Sequence, residues 1–126
     1  KEVHGFEVIV SSVEDATRNA IRNGVGNAFF HIANLDNFFK FGVGKKYPRP
    51  DVIVVDPPRA GMHKFMTNYL PRFEAKKIVY ISCNPTTQAR DTEVLQQNGY
   101  QLKNLTMVDM FPHTPHVETV GIFEKK

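Results

Sequence analysis

The stretch DVIVVDPPRAG (51–61) joins a run of mostly β-branched residues to an abrupt stop at Asp56-Pro57-Pro58. Val and Ile pack well on a pleated surface, and an unbroken apolar run of this kind reads as a strand buried on both faces of a parallel sheet. Proline cannot donate to a strand ladder and biases the residue before it away from helical backbone, so the strand should end at Asp56. A carboxylate is thereby left at a carboxyl-terminal strand end, followed by a loop through Arg59 and Gly61. A helix over about His63 to Phe73 is expected next.

The same strand, turn and helix order recurs on both sides. Downstream, Lys77 to Ser82 reads as a strand, Asn84-Pro85 as a turn, and Thr86 to Asn98 as a helix closed by Gly99. Tyr100 to Asp109 and Val117 to Glu124 read as two last strands, joined by the Met110 to His116 loop in an antiparallel step. Upstream, Val3 to Ile9 reads as a strand, and Ser11 and Ser12 offer N-caps to a helix over Val13 to Arg22 that stops at Asn23-Gly24. Ala28 to Ala33 reads as another strand, Asp36 to Phe41 as an aromatic-rich turn, and Gly42 to Pro50 as a Gly/Pro/Lys linker.

Alternation of this kind gives an α/β fold, an open and mainly parallel sheet with helices on both faces, in which ligands bind at the carboxyl ends of the strands. Glu7, Asn34, Asp56 and Cys83 all fall at such ends. A doubly wound nucleotide-binding sheet opens with a strand and a glycine-rich turn, whereas this chain opens at what reads as the second strand. The first strand and its glycine-rich loop are therefore expected to be missing from this stretch, leaving a weakened or re-paired sheet centre.

At 126 residues and 14.4 kDa the chain has the size of one ordinary domain. It has no uncharged apolar run near the roughly 20 residues of a membrane span. The opening KEVHGFEV resembles no secretory signal, which favours a cytoplasmic origin. The formal charge of +3 and pI near 9.1 suit nucleic-acid contact as well as many ordinary domains. The cations are scattered (Arg18, Arg22, Lys45, Lys46, Arg49, Arg59, Lys76, Lys77, Arg90), so folding would have to gather them onto one face. A single cysteine excludes an internal disulfide, and Cys83 is either a buried packing residue or a reactive thiol. Nothing in the His, Cys, Asp and Glu spacing suggests a metal site.

Three loop segments at strand ends narrow the function: DPPRAG (56–61), SCNP (82–85) followed by Ala89-Arg90-Asp91, and DMFPHTPHVE (109–118). Their order and spacing resemble the RNA uracil-5 methyltransferase family, a SAM-dependent (S-adenosyl-L-methionine) group with a Rossmann-like catalytic sheet. GFE (5–7), the VEDATRNAIRNG helix (13–24) and FFHIAN (29–34) extend the resemblance over nearly the whole chain. It implies methyl transfer from SAM to C5 of a uridine in tRNA or rRNA. Cys83 would be the nucleophile that adds to C6, and Glu118 the base that removes the C5 proton.

The resemblance further implies that Glu7 and Asn34 meet the cofactor, that Asp56 serves cofactor and flipped uracil, and that Arg59, Asn84 and His116 stand beside the RNA. Asn34 departs from the family's usual aspartate, so contact with the adenine amino group loses its charge assistance. Each residue also has a plain reading. Cys83 can be a small buried hydrophobe, Asp-Pro-Pro a strand-ending turn, Arg59 and Glu118 surface charges, and His113 and His116 loop packing. A helix starting just after Pro85 would aim backbone N–H groups near the Cys83 sulfur, which favours the thiolate. An RNA cytosine-5 methyltransferase uses the same covalent logic with a cysteine on a neighbouring loop, but DPPR with a late HVE fits uracil better. A fragment that binds RNA without activity is the alternative from another class.

Overall fold

In the computed structural model, residues 1–34 and 46–126 are described. The aromatic-rich turn and the first part of the Gly42 to Pro50 linker, residues 42–45, lie outside them. Two compact units divide the chain, Lys1–Tyr47 and Pro48–Lys126.

In the first unit, β1 (Val3–Glu7) and β2 (Ala28–Ile32) pair in parallel, with Val3 opposite Ala28 and Glu7 opposite Ile32. Between them runs α1 (Val10–Arg22), which buries Val13. The helix starts earlier than its serines suggest. Its N-cap is Ile9, whose side chain caps nothing, and Ser11 and Ser12 lie inside the first turn. The Glu7 carboxylate serves the entry instead: Oε1 accepts from the amides of Val8 (2.6 Å) and Ile9 (3.0 Å). Gly24-Val25-Gly26 is a Gly-x-Gly, but it stands in the α1–β2 connection, where Gly24 at φ +66° ends the helix. No strand of the unit runs directly into it.

The second unit is a four-stranded sheet in the order β3-β4-β6-β5, built from β3 (Val52–Val55), β4 (Lys77–Ser82), β5 (Tyr100–Val108) and β6 (Glu118–Lys125). β3 and β4 are parallel, while β6 runs antiparallel to both β4 and β5. The sheet is thus less parallel than expected. The closing hairpin does not merely extend it: β6 returns from β5 through the 109–117 loop and inserts between β4 and β5, antiparallel to both. An extra residue at Lys103 bulges β5 and shifts its register to β6.

β3 also departs from the double burial expected of it. Val55 is buried, but Val52 and Val54 are 48% and 62% exposed. Among the described residues β3 pairs only with β4 and is an edge strand. The helix expected over His63 to Phe73 is α2 (Lys64–Tyr69) followed by a 3-10 turn, Leu70–Phe73, because Pro71 supplies no N–H to continue the α pattern. α3 (Pro85–Gln97) begins on Pro85, a residue whose missing N–H costs nothing in a first helical turn.

Alternation along β4 puts Ile78, Tyr80 and Ser82 on the buried face, and along β6 it does the same for Thr119, Gly121 and Phe123. Val55, Met62, Leu70, Ile78, Tyr80, Leu95, Tyr100 and Phe123 form the core. Two tyrosines in it keep their hydroxyls satisfied, Tyr100 donating to the carbonyl of Ala75 and Tyr80 to the carboxylate of Asp91, both at 2.7 Å. Burial first, then the bond and charge of Asp91, push the Tyr80 hydroxyl well above the usual tyrosine range. Among the described residues no helix is long and apolar enough to cross a membrane.

Candidate active site

The register of the second unit brings the three motif loops to one end of the sheet. In the antiparallel β4–β6 pair Ser82 lies opposite Thr119. One step further, Cys83 leaves β4 where Glu118 enters β6, so the two residues face each other across neighbouring strands. In the parallel β3–β4 pair Val55 lies opposite Tyr80, so Asp56 emerges at the same end from the strand on the other side of β4. Cys83 and Glu118 are half-buried and Asp56 is exposed. Thiol, carboxylate and carboxylate thus come from adjacent strands, although the chain separates them widely.

Side chains tie the loops together. Arg59 Nη2 is 3.3 Å from His116 Nδ1. Guanidinium can only donate, so Nδ1 is the acceptor in this contact. Asn84 has two jobs: Oδ1 accepts from the Thr86 amide (3.1 Å) to cap α3, and Nδ2 donates to the Arg59 carbonyl (3.1 Å). Cys83 directly precedes this cap and therefore stands beside the amino-terminal end of α3. His113 adopts a left-handed φ of +68° in the loop before β6.

Beneath Cys83 and Glu118 lies a buried polar link that the sequence reading missed. Gln88 donates through Nε2 to the Tyr80 carbonyl (2.8 Å) and accepts through Oε1 from Thr119 (2.8 Å). It joins α3, β4 and β6 directly under the site. Gln88, Asp91 and Leu95 are the buried residues of α3, and their helical spacing was a usable signal: two of its inward positions are polar. In the first unit Glu7 and Asn34 stand at the carboxyl ends of β1 and β2, both exposed.

The scattered cations are largely neutralised where they stand. Arg49 pairs with Glu74, Lys76 with Asp51, Lys77 with Glu124, Arg18 with Asp15 and Arg90 with Asp91. Among the described residues no group of three or more His, Cys, Asp or Glu could hold a metal ion.

The family described as tRNA (Uracil-5-)-methyltransferase matches residues 2–126. An uncharacterized RNA methyltransferase of Listeria innocua is 42% identical over all of this chain, which spans 27% of that relative. The 23S rRNA (uracil(1939)-C(5))-methyltransferase RlmD of Acinetobacter baumannii is 46% identical over 124 residues, again with only 26% of its length covered. Among solved structures, the Pyrococcus abyssi tRNA (uracil-54, C5)-methyltransferase in complex with S-adenosyl-L-homocysteine superposes with a TM-score of 0.78 at 38% identity, over 97% of this chain and 28% of that one. A precorrin-6y methyltransferase of Geobacter metallireducens, at 16% identity and a TM-score of 0.72, shares the fold alone. With every segment of the sequence inside the matched range and the motif loops gathered at one sheet end, the chain belongs to the tRNA (uracil-5-)-methyltransferase family.

Proposed function

We propose that this chain is part of the catalytic domain of a cytoplasmic, SAM-dependent RNA methyltransferase that methylates C5 of a uridine in tRNA or rRNA. The observation that carries the reading is the opposition of Cys83 and Glu118 across the ends of β4 and β6. A nucleophile and a base acting on adjacent ring carbons, C6 and C5, need this kind of separation on a rigid support. Glu7 and Asn34 are suited to the cofactor: a carboxylate accepts from a ribose diol, and an amide oxygen from an amino group. Glu7 is already pinned by two backbone amides, so it is ordered before a ligand arrives. When bound, SAM supplies the electrophilic methyl group.

The Cys83 thiolate adds to C6 of uracil, forming a carbon–sulfur bond and shifting the ring's electron pair toward C5 and O4. C5 would take the methyl group as that group's bond to the SAM sulfur breaks, leaving S-adenosyl-L-homocysteine, while the Cys83 sulfur remains on C6. Glu118 then accepts the C5 proton, the C5–C6 double bond re-forms, and the thiolate leaves as the carbon–sulfur bond breaks. Asp56 holds the polar edge of the flipped base from the neighbouring strand end. Arg59 meets phosphate or the charge gathering on O4, with His116 steadying its guanidinium and Asn84 its backbone.

In the full-length protein Cys83→Ala should abolish both 5-methyluridine formation and any covalent adduct. Glu118→Gln should instead accumulate a denaturation-resistant protein–RNA adduct while releasing little product, because addition and methyl transfer need no base but elimination does. Gel electrophoresis under denaturing conditions and nucleoside mass spectrometry separate the two outcomes. Normal turnover by Cys83→Ala, or wild-type release by Glu118→Gln, would overturn the assignment.

A further inference from the structure

The reaction proposed for this chain gives no task to the Arg90-Asp91 pair, yet the pair bonds β4 and the loop after β3. Asp91 is 2% exposed and all its bonding capacity is used. Oδ2 accepts from the Tyr80 hydroxyl (2.7 Å) and from the Met62 amide (2.8 Å), while Oδ1 accepts from Arg90 Nε (2.9 Å) and Nη2 (2.7 Å). Arg90 Nη2 also reaches the carbonyls of Ala60 (3.1 Å) and Met62 (3.3 Å). One turn earlier on α3, Thr87 Oγ1 donates to the Arg59 carbonyl at 3.3 Å, beside the bond from Asn84. Beside the bond of the Gly61 amide to the Pro58 carbonyl (2.8 Å), the backbone from Arg59 to Met62 is therefore held by side chains of α3 and of its cap, Asn84.

The geometry explains the glycine between them. Gly61 has φ +79°, and a Cβ there would lie 2.6 Å from Arg90 Nη2 and 2.8 Å from Asp91 Oδ2. Only a residue without a side chain lets the loop come close enough for the guanidinium to bond the carbonyls on either side of it. Because α3 starts directly after Cys83, whatever is fixed to α3 is fixed relative to the nucleophile.

We propose that Arg90, locked by the buried Asp91, is a positioning residue: it clamps the Arg59–Met62 loop to α3 and so sets Asp56 and Arg59 in register with Cys83. The inference rests on the uracil-5 reading for its kinetic consequence, but not for the clamp itself. Arg90 side-chain atoms are 56% exposed, so its replacement leaves the core intact. A lysine cannot reproduce the fork that spans two carbonyls and a carboxylate.

The test uses the full-length protein with Arg90→Gln and Arg90→Lys, read by hydrogen exchange across residues 59–62 and by steady-state methylation of RNA well below the melting temperature. Arg90→Gln should speed exchange at the loop and lower kcat/KM on the order of tenfold to a hundredfold, as expected when reacting groups lose placement by up to about 1 Å. Arg90→Lys should fall between. Wild-type exchange in Arg90→Gln overturns the clamp, and faster exchange with wild-type kcat and KM overturns its positioning role. If the wild-type protein makes no 5-methyluridine, the reaction assignment fails and takes the positioning role with it, while the exchange arm still decides whether the clamp exists.

Discussion

Asp91 shows how much one buried carboxylate can carry. It sits between a tyrosine hydroxyl from β4, an amide from the loop after β3 and the guanidinium beside it on α3, with each partner at 2.7–2.9 Å. Removing it strands two buried donors at once, whereas removing one donor leaves the carboxylate with the others. Leaving a buried polar group unpaired costs about 1–3 kcal/mol, so Asp91→Ala should destabilise the chain by about 2–4 kcal/mol and Tyr80→Phe by only about 1–2 kcal/mol. Urea unfolding followed by circular dichroism gives both values, and equal losses would show that the pairs do not act as a network. Ala89-Arg90-Asp91 was visible in the sequence only as part of a motif, with no sign of what the carboxylate bonds. Only contact with residues from two other elements reveals the role.

Elements carry their own sensitivities, and the β1–β2 pair has one built into its ring-bearing face. His4, Phe6, Phe29 and His31 stack along it, with Tyr47 packed edge-on against His4, Phe6 and His31. His4 Nδ1 and His31 Nε2 are 3.0 Å apart and share one proton, since two imidazolium rings cannot bond each other. Desolvation first, and the nearby charge of His4 second, hold His31 below the usual histidine value of 6.5. A depressed histidine favours the neutral form in the fold, so the unfolded chain binds the proton more tightly. Its contribution to stability is complete above about pH 6.5 and is lost as the pH falls through that value. Thermal melts should therefore show a falling midpoint between pH 7.5 and 5.5, and His31→Phe should flatten that slope. An unchanged slope in the variant would place the sensitivity elsewhere.

For the molecule as a whole, the chain spans about 27% of the length of its Listeria relative, and the proposed site draws on several separate segments. A pocket that holds a small ligand well surrounds most of its surface. Glu7 and Asn34 are the contacts to SAM proposed for this chain, and among the described residues no strand runs directly into a glycine-rich turn. The 126-residue chain should therefore bind SAM at least about a hundredfold more weakly than the full-length protein, the equivalent of two lost contacts of about 1.4 kcal/mol each. Calorimetric titration of both decides it. Matched affinities would mean that these residues alone make up the cofactor site.

What the sequence determined by itself was local: the kinds of elements, their order, the proline and glycine stops, and the presence of Asp56, Cys83 and Glu118 at element ends. Periodicity and turn chemistry act over a few residues, so these features are written where they operate. Element limits moved by a few residues, as at α1, which starts at Val10 with no side-chain cap, behind a turn in which Glu7 bonds the amides of Val8 and Ile9. Strand order was decided only by the tertiary structure. β4, β5 and β6 all carry apolar residues fit for a core, and nothing local says that β6 lies between the other two. That choice depends on pairing and burial between distant segments, and it is what sets Glu118 across from Cys83. The same holds for the α3 clamp on the DPPRAG loop, whose donors and acceptors meet only because β3 and β4 lie side by side and each returns its loop to the same end of the sheet.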